Sequence, residues 1–329
     1  MRGIRLNERG ELALLKGIRK RFKGRARDII AGIGDDCAVV VPQKEKLLLT
    51  TDMMVEGVHF DLAFTTYFQL GFKTVSVNVS DIFAMGGCPS FVLLNIAAPG
   101  DTHENSLDSF FQGVQKALRR YHIRLVGGDL SASGALMVSA TLIGYAKKPV
   151  LRSGARPGHR IYVTGNLGDS ACGLELLKMI KRPVSIETGE KINTPLRWST
   201  MESLLRRHLF AEARNPAKFA AGASAMIDVS DGLLIDLFRL CEESGVGARV
   251  HIRQLPLSAH MRKAASFLGK EPDMFATSGG EDYELLFTAP PRLRVNAVCI
   301  GEITDSGMVV VERDASERSF SPEGYQHWH

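Results

Sequence analysis

The sequence predicts a mixed α/β protein of two domains, and three observations carry that prediction. The chain has 329 residues, longer than one hydrophobic core usefully grows. Strand-like apolar segments alternate with helical ones and with turn residues through both halves. A polar, basic stretch punctuated by Pro and Gly, Tyr145-Ala146-Lys147-Lys148-Pro149 and then Arg152-Ser153-Gly154-Ala155-Arg156-Pro157-Gly158, has the composition of an inter-domain connection. The boundary is placed near Lys148, giving domains of residues 1–148 and 149–329.

Taken in order, Leu12, Leu14, Leu15 and Ile18 recur at helical spacing ahead of a basic run at 19–25, the pattern of an amphipathic helix with a wet face. Strands are expected at 37–41, 46–50, 91–97, 123–126 and 136–144. A helix is expected from about 104 to 121, with Leu107, Phe110, Phe111, Val114 and Leu118 on one stripe and Asp101 or Thr102 as its cap. Residues 75–87 read two ways: strict alternation suggests a strand, whereas the run from Asp81 to Met85 before a Gly pair suggests a helix. If helical, Asn78 and Asp81 share a face. The second half restarts with a strand at 160–164, a Gly165-Asn166-Leu167-Gly168 turn and a helix at 169–181. Residues 181–216 show weak periodicity, a helical patch at 201–209 and no readable chemistry. A strand at 225–229 then feeds a helix at 232–243 that Gly245 stops, which puts Ser230 and Asp231 at a helix N-terminus.

Composition narrows the classes. Hydrophobic residues make up 45% and charged residues 23%, values of a folded, water-soluble chain. The net charge of +5 suits the steering of small anions, and no nucleic-acid partner is expected. Five cysteines, with no CxxC pairing, suggest neither disulfides nor zinc, so each is expected to be a small buried hydrophobe. No secretory leader and no membrane-spanning run is visible, and a cytoplasmic location is expected.

The chemistry-bearing pattern is a set of six short segments that end apolar runs in acidic residues beside Gly, Ser or Thr: Gly34-Asp35-Asp36, Thr50-Thr51-Asp52, Asn78-Val79-Ser80-Asp81, Gly127-Gly128-Asp129, Asp228-Val229-Ser230-Asp231-Gly232 and Gly279-Gly280-Glu281-Asp282. One alone would be a turn or a helix cap. Carboxylates gathered at strand ends repel one another unless cations neutralise them. Mg²⁺ suits such hard oxygen donors and is commonly shared with substrate phosphates. The P-loop pattern and the protein-kinase motif set are absent. In the Asp228 segment the Gly comes one place too early for a calcium loop, and Arg239 stands where that loop needs Glu. Metal-dependent phosphoryl transfer is the class this pattern supports.

In order, these segments, together with Glu56-Gly57-Val58-His59-Phe60, Ala84-Met85-Gly86 and Ser278-Gly279-Gly280-Glu281-Asp282-Tyr283-Glu284-Leu285, resemble the thiamine-monophosphate kinase family. That family sits in a superfamily with aminoimidazole ribonucleotide synthetase, selenophosphate synthetase and a hydrogenase-maturation protein. The resemblance spans about residues 32–325 and implies two α/β domains, with the N-terminal sheets of two subunits closing a barrel at a homodimer interface. It implies Mg²⁺, ATP as co-substrate, and transfer of its γ-phosphoryl group to thiamine monophosphate. By position, Asp36, Thr50, Thr51, Asp52, Asp81, Asp129, Asp228 and Asp231 are implied as metal ligands. Gly128, Asp129, Arg152 and Ser230 are implied as nucleotide contacts, and His59, Glu281 and Tyr325 as substrate contacts. No general base is implied; metal and charge, with Arg152 in support, do the work. The rival readings are an aminoimidazole ribonucleotide synthetase-like cyclo-ligase and a non-catalytic cation- or nucleotide-binding module.

Overall fold

The computed structural model describes residues 4–9, 11–22, 27–31, 33, 37–293 and 295–326. It divides into two compact units, residues 1–82 with 87–147 and residues 83–86 with 148–329. Its mixed helices and strands agree with the expected α/β class. Among the described residues, no helix is long and apolar enough to cross a membrane.

The first unit opens with α1 (Leu6–Arg9) and α2 (Glu11–Phe22), then the short pair β1 (Ile29–Ala31) and β2 (Val39–Val40). Its main elements are β3 (Lys46–Val55), α3 (Tyr67–Ala84, whose last two residues belong to the second unit), β4 (Cys88–Ala98), α4 (Glu104–Tyr121), β5 (Arg124–Ala132) and β6 (Met137–Ala146). The strands form one sheet in the order β3-β6-β4-β5. Alternation along β3 splits its side chains between two faces. Leu48 and Met54 are buried on the face that also carries Thr50 and Asp52, while Leu47, Leu49 and Met53 are 54%, 65% and 57% exposed on the other.

Residues 75–84 are helical, and their strand-like alternation arises because α3 is buried all round. Leu70, Phe72, Val75 and Val79 are buried, and so are Ser76, Asn78 and Ser80 between them, so the polar face that betrays a helix is missing. α3 and α4 cross at two glycines. A Cβ on Gly71 would lie 2.0 Å from the Phe110 carbonyl oxygen and one on Gly113 would lie 1.9 Å from that of Phe68, so only glycine allows the backbones this close. α4 buries the expected stripe, but its cap residue is His103, without a side-chain bond, and neither Asp101 nor Thr102 caps it.

The second unit contains β7 (Arg160–Val163), α5 (Asp169–Ile180), α6 (Trp198–Phe210), β8 (Ala225–Asp228), α7 (Leu233–Ser244), β9 (Gly247–His251), α8 (Ala259–Leu268), α9 (Pro272–Ser278), β10 (Leu285–Ala289), β11 (Val298–Thr304), β12 (Met308–Val311) and β13 (Glu317–Ser319). These strands run β13-β12-β9-β11-β7-β10-β8. Only the β9–β12 pairing is parallel. Tyr162 stacks on Phe287 at 5.3 Å, and Phe219 packs against the same ring at 5.6 Å. The cysteines depart from expectation: Cys172 and Cys241 are buried, Cys299 is half-buried, and Cys37 and Cys88 are exposed. Cys37 lies in a bend and Cys88 at the first residue of β4, where the chain has not yet entered the core.

Candidate functional site

In the first unit the chemistry gathers where β3 meets α3. The Thr50 hydroxyl donates to the Asp81 carboxylate, and the Asp52 N–H donates to Asn78 Oδ1 at 3.1 Å, while Asn78 Nδ2 donates to the Thr74 carbonyl at 3.0 Å. Residues 78 and 81 therefore do share a helix face, and that face meets Thr50 and Asp52. At the end of β3, residues 55–60 fold back on themselves. His59 Nδ1 accepts the Val55 N–H at 3.1 Å, which leaves Nε2 to carry the proton of the neutral ring.

Thr51 and Asp129 lie apart from this cluster. Thr51 points to the other sheet face, where its hydroxyl donates to the Ala140 carbonyl at 3.1 Å and accepts from Thr141 at 3.1 Å. Asp129 is exposed on β5 and aligns through Asn95 and Ser139 with Met53, on that same face. With β5 and β3 at opposite edges of the sheet, three strand spacings, or ~14 Å, separate Asp129 from β3. Gly128 beside it has φ 151°, and a Cβ there would sit 1.8 Å from the Leu94 carbonyl oxygen, so glycine is required. Asp35 and Asp36 lie outside the described residues.

In the second unit, residues 229–232 leave β8 and enter α7, as the sequence suggested. Asp228, the last residue of β8, is buried. The loop wraps around a carboxylate that sequence reasoning missed. Asp236 Oδ2 accepts the N–H groups of Ser230, Asp231 and Gly232 at 3.0, 3.0 and 3.2 Å. Arg239 bridges Asp236 Oδ1 at 2.8 Å and Asp231 Oδ2 at 2.6 Å. Burial, reinforced by the neighbouring Asp231 charge, pushes the Asp236 carboxyl up to about 6. The available signal was an acid lying inside the apolar stripe of Leu233, Leu237 and Leu240.

Two further segments bind this loop. The Glu281 N–H donates to the Ser230 carbonyl at 2.7 Å, and the Tyr325 N–H donates to that of Asp231 at 3.0 Å. Ser230, Asp231, Glu281 and Tyr325 are thus brought together. Arg152 is not: its carbonyl accepts from Ser244 Oγ at 2.9 Å, at the opposite end of α7 from Ser230, and its side chain is exposed.

Within the Gly-Gly-Glu-Asp-Tyr-Glu segment the acids divide by environment. Asp282 is buried and accepts the N–H groups of Gly168 at 2.6 Å and Ser170 at 3.2 Å, capping α5. Burial pushes its carboxyl up to about 7. Glu284, also buried, accepts from Thr164 Oγ1 at 2.7 Å, Arg207 at 2.9 Å, and Arg214 through two bonds of 2.6 Å. Glu281 faces His208 Nδ1 at 3.1 Å. Arg207, His208 and Arg214 come from the stretch in which the sequence showed no chemistry.

Among the described residues no three His, Cys, Asp or Glu side chains assemble around a single point as a metal cage. Mg²⁺ does not need one, since it binds through one or two carboxylates, waters and substrate phosphates. The hard oxygens of Thr50, Asp52 and Asp81 fit that requirement.

The chain matches the model of the AIR synthase related protein, N-terminal domain, over residues 34–146, and that of the C-terminal domain over residues 156–318. It is 36% identical to thiamine-monophosphate kinase of Aquifex aeolicus (strain VF5), over 99% of this chain and 100% of that one. With thiamine-monophosphate kinase of Salmonella typhimurium (strain LT2) the identity is 36%, over 97% and 98%. Among solved structures it is similar to AaThiL complexed with AMPPCP and TMP, at 35% identity and a TM-score of 0.77, covering 100% of both chains.

Proposed function

Because the chain belongs to the thiamine-monophosphate kinases, within the AIR synthase related proteins, we infer that the acidic cluster of its first unit holds the metal for the kinase reaction. It phosphorylates thiamine monophosphate with ATP, giving thiamine diphosphate and ADP. The observation that carries the site assignment is the β3–α3 cluster, where Thr50 is hydrogen-bonded to Asp81 and the Asp52 N–H to Asn78.

The acceptor needs no general base, because a phosphate monoester is largely ionised at neutral pH, its second pKa being about 6. Bound Mg²⁺ would supply charge neutralisation and alignment of the phosphates. Thr50, Asp52 and Asp81 would hold it. Thr51 and Asp129, on the other sheet face and three strands apart, would serve different ions, and Asp36, Asp228 and Asp231 complete the proposed ligand set. Gly128, Asp129, Arg152 and Ser230 are proposed nucleotide contacts, with the exposed Arg152 side chain reaching the phosphates independently of the Ser230 loop. His59 is a proposed contact through Nε2. Glu281 attracts the cationic ring system of the acceptor, and Tyr325, tied to Asp231 through its backbone, covers it.

We place the enzyme in the cytoplasm, as a homodimer. The exposed row of Leu47, Leu49 and Met53 on the sheet face away from α3 favours cover by a second copy, the two sheets together forming a barrel. Residues 1–148 thus serve ATP, metal and dimerisation, and residues 149–329 complete the reaction site. Incubation of the purified protein with Mg²⁺, ATP and thiamine monophosphate tests the reading. Thiamine diphosphate must appear with one ADP for each turnover. Binding without product would leave a cation- or nucleotide-binding module, and ATP-dependent ring closure of a formamidine substrate would mark a cyclo-ligase.

A further inference from the structure

The Glu281 carboxylate is held from behind by an element that the reaction scheme does not use. Glu281 and Tyr283 have φ of 65° and 49°, a left-handed conformation that non-glycine residues keep only when their surroundings enforce it. Hydrogen bonds on both sides enforce it here. The Glu281 and Tyr283 N–H groups donate to the carbonyls of Ser230 and Val229 at 2.7 and 2.8 Å. From α6, Arg207 donates to the Asp282 carbonyl at 2.7 Å. The next residue of α6, His208, places Nδ1 3.1 Å from Glu281 Oε2 and 3.2 Å from Ser170 Oγ. The His208 side chain is only 6% exposed, whereas that of Glu281 is 28% exposed. A buried imidazole thus sits against a carboxylate that solvent still reaches.

We propose that His208 is a positioning residue for thiamine monophosphate: its Nδ1–H orients the Glu281 carboxylate toward the acceptor's cationic rings. This rests on the reading of Glu281 as a substrate contact. A neutral ring donates from Nδ1 without cancelling the carboxylate's charge, so the attraction for the substrate's cation survives the hydrogen bond. α6 thereby acquires a part in acceptor recognition rather than in phosphate chemistry.

The test uses three variants of the full-length enzyme. His208→Asn carries its amide near the position of Nδ1, His208→Gln carries it near Nε2, and Glu281→Gln removes the charge. His208→Gln is expected to raise KM for thiamine monophosphate about tenfold, the size of a lost hydrogen bond to a charged group, with kcat and KM for ATP within about twofold. His208→Asn should stay near wild type. In the Glu281→Gln background, His208→Gln should add nothing further. An unchanged KM in His208→Gln, equal losses for ATP and acceptor, or His208→Asn behaving like His208→Gln would overturn the proposal while leaving the kinase reading intact. An unchanged KM in Glu281→Gln would remove its premise and overturn both this inference and the assignment of Glu281.

Discussion

Replacing Glu284 by Gln should unfold the second unit at markedly lower temperature without altering acceptor recognition. Glu284 is 1% exposed and takes bonds from Thr164, Arg207 and, twice, Arg214. Removing one partner of a buried ion pair costs about 3–5 kcal/mol, because the orphaned charge stays buried. Arg207 and Arg214 are 22% and 42% exposed, so water relieves part of that loss and about 3 kcal/mol is the appropriate figure. For a unit of this size each kcal/mol moves Tm by about 2–4 °C, which gives a fall of roughly 6–12 °C by scanning calorimetry. Glu281→Gln is the control from the same motif. Its side chain is partly exposed, so Tm should move by less than about 2 °C while KM for thiamine monophosphate rises. A Glu284→Gln shift below about 2 °C, or parallel thermal and kinetic effects in the two variants, would refute the division of this motif into an anchor and a contact.

The buried Asp282 carboxyl, pushed up to about 7 from 3.8, keeps its proton in the folded chain where the unfolded chain has lost it. Its contribution to stability is therefore fully present below about pH 4 and is lost as pH rises through about 7, a change on the order of 4 kcal/mol. Urea unfolding across that range should show this slope in the wild type and a flatter one in Asp282→Asn; identical slopes would contradict the assignment. Asp52→Asn or Asp81→Asn should lower kcat by roughly a hundredfold or more, equivalent to about 2.7 kcal/mol of barrier, with the circular dichroism spectrum unchanged. Near-normal kinetics in either variant would count against the β3–α3 metal assignment. Leu49→Asp, which puts a charge in the exposed apolar row of β3, should convert the proposed dimer to monomer in sedimentation velocity. A dimer that survives it would show that this face is not the interface.

The sequence revealed most of the element plan and less of the site. Helix α4 was legible because its apolar stripe faces a core and its other side faces water. Helix α3 was ambiguous because burial on all sides erases that contrast; the contacts of Asn78 and Asp81 with β3 settle it. The consecutive Thr50, Thr51 and Asp52 looked like one ligand set, but side-chain alternation along a strand sends Thr51 to the other face. His208, Arg214 and Asp236 escaped notice. His208 and Arg214 act on residues seventy or more positions away, which a pattern read along the chain does not record. Asp236 was marked by its place inside an apolar stripe, but its role lies in backbone bonds that side-chain patterns do not show. Asp282 and Glu284 shared an acidic motif with Glu281, and only burial separates the cap and the ion-pair anchor from the carboxylate that remains partly exposed.

The most direct test of the central claim follows the label from ATP labelled at its γ-phosphorus in a single turnover with Mg²⁺ and thiamine monophosphate. Direct transfer predicts that the label appears in thiamine diphosphate in step with ADP. Label released as inorganic phosphate, or retained in ATP while the acceptor is bound, would contradict it.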